Sequence, residues 1–140
     1  VLDKGIKAKV IEPTSKNLDL LGMSWRQAQE IKKAIPEMAK AAEKSDTGDL
    51  WARLCNVYLD NDQFKKAVEA CDKGLKKGGV KRVDQAHLVK GMAHYELKQY
   101  KSARTEFLEA GKDERTKKIA NQWSTFMAKE LERQKSRERS

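Results

Sequence analysis

The chain has 140 residues, of which 39% are hydrophobic and 36% charged, with eight glycines and two prolines. Such a chain suits one compact unit or a short array of repeats, and it excludes a large two-domain enzyme, a disordered chain and a collagen-like fibre. Thirty Lys plus Arg against 21 Asp plus Glu leave +9, which raises nucleic acid or an anionic surface as a partner class, while no apolar run approaches membrane-spanning length.

At the N-terminus, Val1 to Ile6 has neither a basic leader nor a long apolar stretch, and the chain reads as a piece of a longer one. Residues 1–12, with Gly5 near their middle, are expected to be the end of the second helix of a preceding, truncated repeat. Pro13-Thr14-Ser15 then breaks the chain and offers a helix cap. Over 14–47 two apolar stripes follow, Leu18, Leu21, Gly22 and Trp25, then Ile31, Ala34, Ile35, Met38 and Ala41. They predict a helical hairpin, in which Pro36 causes a local adjustment and no break.

Over 48–83 the pattern recurs. Trp51, Leu54, Cys55 and Tyr58 fall at i, i+3, i+4 and i+7, the turn Asp60-Asn61-Asp62-Gln63 intervenes, and Phe64, Ala67, Val68, Cys71 and Leu75 form the second stripe. Over 84–116 it returns as His87, Gly91 and His94, then Tyr100, Ala103, Phe107 and Ala110. The alanines Ala34, Ala67 and Ala103 are 33 and 36 residues apart, a period that indicates stacked hairpins. The small residues Gly22, Cys55 and Gly91 are expected to face these alanines where two backbones cross closely. Ile119, Trp123, Phe126, Met127 and Leu131 make 117–140 a capping helix with a basic tail.

These stripes resemble the tetratricopeptide repeat, in the residues Leu18, Leu21-Gly22, Trp25, Ile31, Ala34, Met38 and Ala41, and in their counterparts from Trp51 to Gly74 and from His87 to Ala110. The resemblance covers roughly residues 16 to 116. It implies an all-α fold, a right-handed α-solenoid of helix-turn-helix hairpins with a C-terminal capping helix. Cys71 stands where an aromatic is usual, and His87 and Lys90 replace large apolar residues, so the third copy is expected to pack less tightly. The order of the repeats is similar to the C-terminal end of longer bacterial proteins of this kind, which implies an exported chain in the periplasm or envelope.

Catalytic chemistry finds no support in the residues. Cys55 and Cys71 occupy core-facing positions, where cysteine behaves as a small hydrophobe, and are expected to be packed free thiols. His87 and His94 lie two helical turns apart, roughly 10 Å of rise, too far to share one metal ion. They are expected to fill aromatic slots and bond a neighbour. No phosphate loop is present, since Lys77-Gly78-Gly79-Val80 lacks the Lys-Ser/Thr that would follow. The expectation is no enzyme, no cofactor and no metal.

Two surfaces remain. The resemblance implies that the first helices line a concave groove for a peptide or protein segment, at Met23, Arg26, Asn56, Leu59, Asp60, Leu88, Met92, Tyr95 and Glu96. Across that wider stripe, Lys16 and Arg26 are outnumbered by Asp19, Asp49, Asp60 and Glu96, so a neutral to basic segment is expected. Ala52 stands where the lysine of a carboxylate clamp would be, which rejects that mode. The alternative is a basic module that contacts nucleic acid or anionic membrane through Lys73, Lys76, Lys77, Lys81 and Arg82 and the C-terminal tail. Self-association through uncovered repeat ends is a third expectation.

Overall fold

The computed structural model describes the backbone of residues 15–139 and the side chains of residues 30–139. Every regular element among the described residues is an α-helix: α1 (Ser15–Lys44), α2 (Asp49–Asp60), α3 (Phe64–Lys77), α4 (Val83–Glu96), α5 (Tyr100–Ala110) and α6 (Lys117–Arg139). The expected repeat end at 1–12 and the Pro13-Thr14 break lie outside the described residues.

Helices next to one another in sequence pack together, and α2 also packs on α4. Two hairpins result, α2 with α3 and α4 with α5. Their turns share most of their backbone bonds. The N–H of Gln63 donates to the Tyr58 carbonyl at 2.9 Å, and that of Gln99 to His94 at 2.8 Å. Asp62 and Lys98, 36 residues apart, both take the left-handed conformation at φ 61° that reverses the chain.

The expected hairpin over 14–47 is replaced by one unbroken helix, α1, with Pro36 inside it. Where the turn should come, Arg26-Gln27-Ala28-Gln29-Glu30 are all good helix formers and nothing there favours a left-handed residue. Without a helix folding back, the face shifts. Ala34 and Ala41, expected in the core, are exposed, and Ile31 is 38% exposed. Ala42 is buried instead, with Ile35, Met38 and Ala39 packed beside it.

Two cores follow. In the first, Trp51, Leu54 and Cys55 of α2 meet Ala67, Ala70 and Cys71 of α3 and Ala42 of α1. In the second, Ala103 and Phe107 of α5 meet Met127 of α6, with Tyr95 and Trp123 packed against them. Phe107 stacks on Trp123 at 5.1 Å between ring centroids.

The small residues of the first helices do not simply face alanine. A Cβ on Gly91 would sit 2.6 Å from the Phe107 ring, so the glycine makes the hollow that this ring fills. The corresponding positions in the other hairpin are Cys55 and Cys71, and there the structure holds a disulfide between α2 and α3, with a Cα separation of 5.2 Å. The expectation of free thiols is therefore corrected: where one hairpin packs a glycine against a ring, the other closes the same gap with a covalent bond.

Candidate functional site: a cleft between the first helices

The cleft lies between α2 and α4, and the loop after α3 closes one end. That loop is tied down: the Gly48 N–H donates to the Gly78 carbonyl at 2.6 Å, and the Lys81 N–H to Asp49 Oδ1 at 3.3 Å. The cleft encloses about 530 Å³. Ala52, Arg53 and Asn56 line it from α2, Val80 to Arg82 from the loop, and Leu88, Val89 and Met92 from α4.

Of the groove residues expected from sequence, Asn56, Leu88 and Met92 meet in this cleft. They are positions that the resemblance implied, and Leu88 and Met92, four residues apart, share one face of α4. Leu59 packs against the first core. Tyr95 belongs to an aromatic cluster, 5.5 Å from Trp123, 5.7 Å from Phe126 and 5.9 Å from Tyr100 between centroids. A contact surface expected at Tyr95 is thus largely taken by α6. Asp60 and Glu96 are exposed at the last residues of α2 and α4. The side chains of Met23 and Arg26 lie outside the described residues.

Among the described residues, Arg53, Lys81 and Arg82 line the cleft with Asp49 as the anion. The acidic balance expected of the wider stripe also counts Lys16, Asp19 and Arg26, whose side chains lie outside the described residues. Arg53 could have been found from sequence, one residue beyond Ala52 on the helix. Lys81 and Arg82 could not, because they reach the cleft only when the loop folds back.

Three residues of the basic run have partners within the fold. Lys73 Nζ lies 4.7 Å from the Trp51 ring centroid, a cation–π contact. Lys77 Nζ donates to the Ala42 and Glu43 carbonyls at 3.5 and 3.3 Å, satisfying the end of α1. Arg82 is bound to Asp84, with Nε and Nη2 at 3.0 and 2.7 Å from its two oxygens. Lys76 and Lys81 project to solvent.

Asp84 holds Arg82, a lining residue of the cleft, in place. It is buried, accepts the Thr116 hydroxyl as well as Arg82, and so pins the start of α4 to the start of α6. The Arg82 hydrogen bond holds the Asp84 carboxyl well below the ordinary carboxylate range against the opposing effect of burial, and Thr116 adds to it. Replacing Asp84 by alanine is expected to cost about 2 kcal/mol, below the usual figure for a broken buried pair because the Arg82 side chain is 35% exposed.

A second ionic network crosses three helices. Glu106 accepts from His87 Nδ1 at 2.6 Å and from Lys90 Nζ at 2.9 Å, and Lys90 also reaches Asp72 at 2.6 Å. Burial raises the Glu106 carboxyl, but the bonds from His87 and Lys90 outweigh it and the net shift is downward. At His87 and Lys90 the hairpin of α4 and α5 exchanges the apolar contact of the repeat pattern for paired charge. His94 donates to Gln99 Oε1 at 2.7 Å, so each histidine bonds a neighbour.

Both carboxylates have folded values below their unfolded ones, so the stability they contribute is present above the ordinary carboxylate range, about pH 4, and is lost as the pH falls below it. Urea titrations between about pH 6 and pH 2 should show that loss, with a shallower slope in D84A. An unchanged slope would mean that Asp84 is not so bound in solution.

Among the described residues no three His, Cys, Asp or Glu side chains group as a metal-ligand set. No helix among them is long and apolar enough to cross a membrane. Set against known family models, curated proteins and solved structures, the chain finds no match in any of the three.

Proposed function

We propose that this chain is a non-catalytic interaction scaffold that takes a segment of a partner protein in the cleft between α2 and α4. In this reading the two hairpins are units of a right-handed α-solenoid of the tetratricopeptide type, and α6 is its capping helix. The observation that carries the proposal is the cleft itself. First helices of consecutive hairpins stand side by side, with apolar Leu88, Val89 and Met92 below and the exposed amides of Asn56 and Gln85 at the rim. Apolar side chains give a segment its anchor, and rim amides pair its backbone.

The rival reading, a basic module for nucleic acid or anionic lipid, draws less support. Lys73, Lys77 and Arg82 each have an intramolecular partner and are not free to follow a line of phosphates.

The test is selection of displayed random peptides of about twelve residues on the immobilised chain, with counter-selection on N56W, which fills the cleft from an exposed position. Enriched peptides that bind the parent chain and not N56W are the expected result. No enrichment, or peptides that bind both equally, would overturn the proposal.

A further inference from the structure

The charge of the cleft goes further than its shape. Asp49, the one anion that lines it among the described residues, is already engaged: its carboxylate lies 3.3 Å from Arg53 Nε and accepts the Lys81 backbone N–H. Arg82 is neutralised by Asp84 beneath it. What a ligand meets is the outer part of the Arg53 guanidinium, whose side chain is 63% exposed, and the exposed Lys81 ammonium, both at the loop end. Apolar Val89 and Met92 line the same cleft from α4.

Resting on the scaffold reading above, we propose that the occupant is an acidic protein segment, in which Asp or Glu side chains pair with Arg53 and Lys81 and a neighbouring large apolar side chain enters between Ala52, Leu88 and Met92. Carboxylates fit better than a phosphorylated side chain. Asp49 sits within the same cluster, and a phosphate would bring two negative charges to one point beside it, whereas carboxylates on separate side chains reach Arg53 and Lys81 singly, with their charge spread along the segment. The cations give register and encounter rate, and the apolar anchor gives residence.

The probe is a fluorescein-labelled peptide in which Glu pairs flank Leu and Phe, compared by anisotropy with the same peptide carrying Gln, and then Lys, in place of Glu. The Glu form is expected to bind at least about tenfold tighter than the Gln form, with the Lys form weakest, and to lose that advantage in R53Q/K81Q. N56W should abolish binding of all three. R53Q/K81Q changes exposed side chains only, and its circular dichroism and urea midpoint should match the parent. Binding that N56W abolishes but that ignores peptide charge and R53Q/K81Q would overturn the acidic occupant and leave the scaffold reading standing. Binding indifferent to N56W would overturn both. Absence of saturable binding of the Glu form below about 1 mM would overturn the acidic occupant.

Discussion

Replacing Gly48 by alanine is expected to be the most damaging small change in the chain. A methyl group there would penetrate the Gly74 carbonyl, lying 2.6 Å from its carbon and 2.7 Å from the Gly74 Cα. Those are main-chain atoms of α3, and they cannot rotate aside as a side chain would. The start of α2 and the end of α3 would have to separate, breaking the Gly48 N–H bond to Gly78 and opening the first core beside Trp51. The expected loss is about 3 kcal/mol or more, the upper end of what overpacking costs. Gly74→Ala should be milder, since its Cβ would lie 2.8 Å from the Gly48 carbonyl oxygen and 3.1 Å from Trp51 Cβ. Gly78→Ala meets nothing within 4 Å and is opposed only by its backbone, whose φ of +84° and ψ of 177° lie in a region that glycine almost alone occupies, a cost of about 1–3 kcal/mol. The urea midpoint should therefore be lowest in G48A, below both G74A and G78A. A G48A midpoint level with or above theirs would mean that the backbones at Gly48 and Gly74 do not touch in solution.

Removing the disulfide is the second large effect. It joins residues 16 apart, and closing a loop of that length in the unfolded chain is worth about 3 kcal/mol. C55A/C71A should lose roughly that amount, together with the packing of two fully buried sulfurs. The parent chain under reducing agent should lose less, because the thiols still fill the space. The other hairpin suggests a repair. C55G/C71F copies the Gly91 and Phe107 pair into the corresponding positions, and its thermal midpoint should lie above that of C55A/C71A without any covalent bond. A midpoint equal to or below the double alanine would show that the two hairpins do not share this packing.

Much of the helical core was legible because its periodicity is strong. Trp51, Leu54, Cys55, Ala67, Cys71, Ala103 and Phe107 all lie on the expected stripes, and all are buried. The turns were legible only in part. Asp62 announces one, but Lys98 adopts the same left-handed conformation with no residue type to mark it, while Gln29, 33 residues before Asp62, stays in a helix. The difference is tertiary: α4 offers the Gly91 hollow that Phe107 of α5 fills, and that contact rewards the reversal. The disulfide was within reach, since Cys55 and Cys71 align with Gly91 and Phe107, but the sequence reading set each small residue against an alanine instead of the position four further on. In the cleft, Asn56, Leu88 and Met92 came from the register of the resemblance, not from the residues alone. The cations that set its sign come partly from a loop whose path depends on Gly48, Gly78 and Asp49 meeting across the fold.

The two cores also make the chain optically divisible. Trp51 belongs to the first core, which contains the disulfide, and it lies beneath the Lys73 ammonium. Trp123 belongs to the second, stacked on Phe107 and flanked by Tyr95 and Phe126. With Trp25 and either of the others replaced by phenylalanine, the emission of the one remaining indole reports on one core alone. Reduction of the disulfide then registers in the Trp51 signal and acid release of Asp84 and Thr116 at the start of α6 in the Trp123 signal, so local opening of one hairpin is separable from unfolding of the whole.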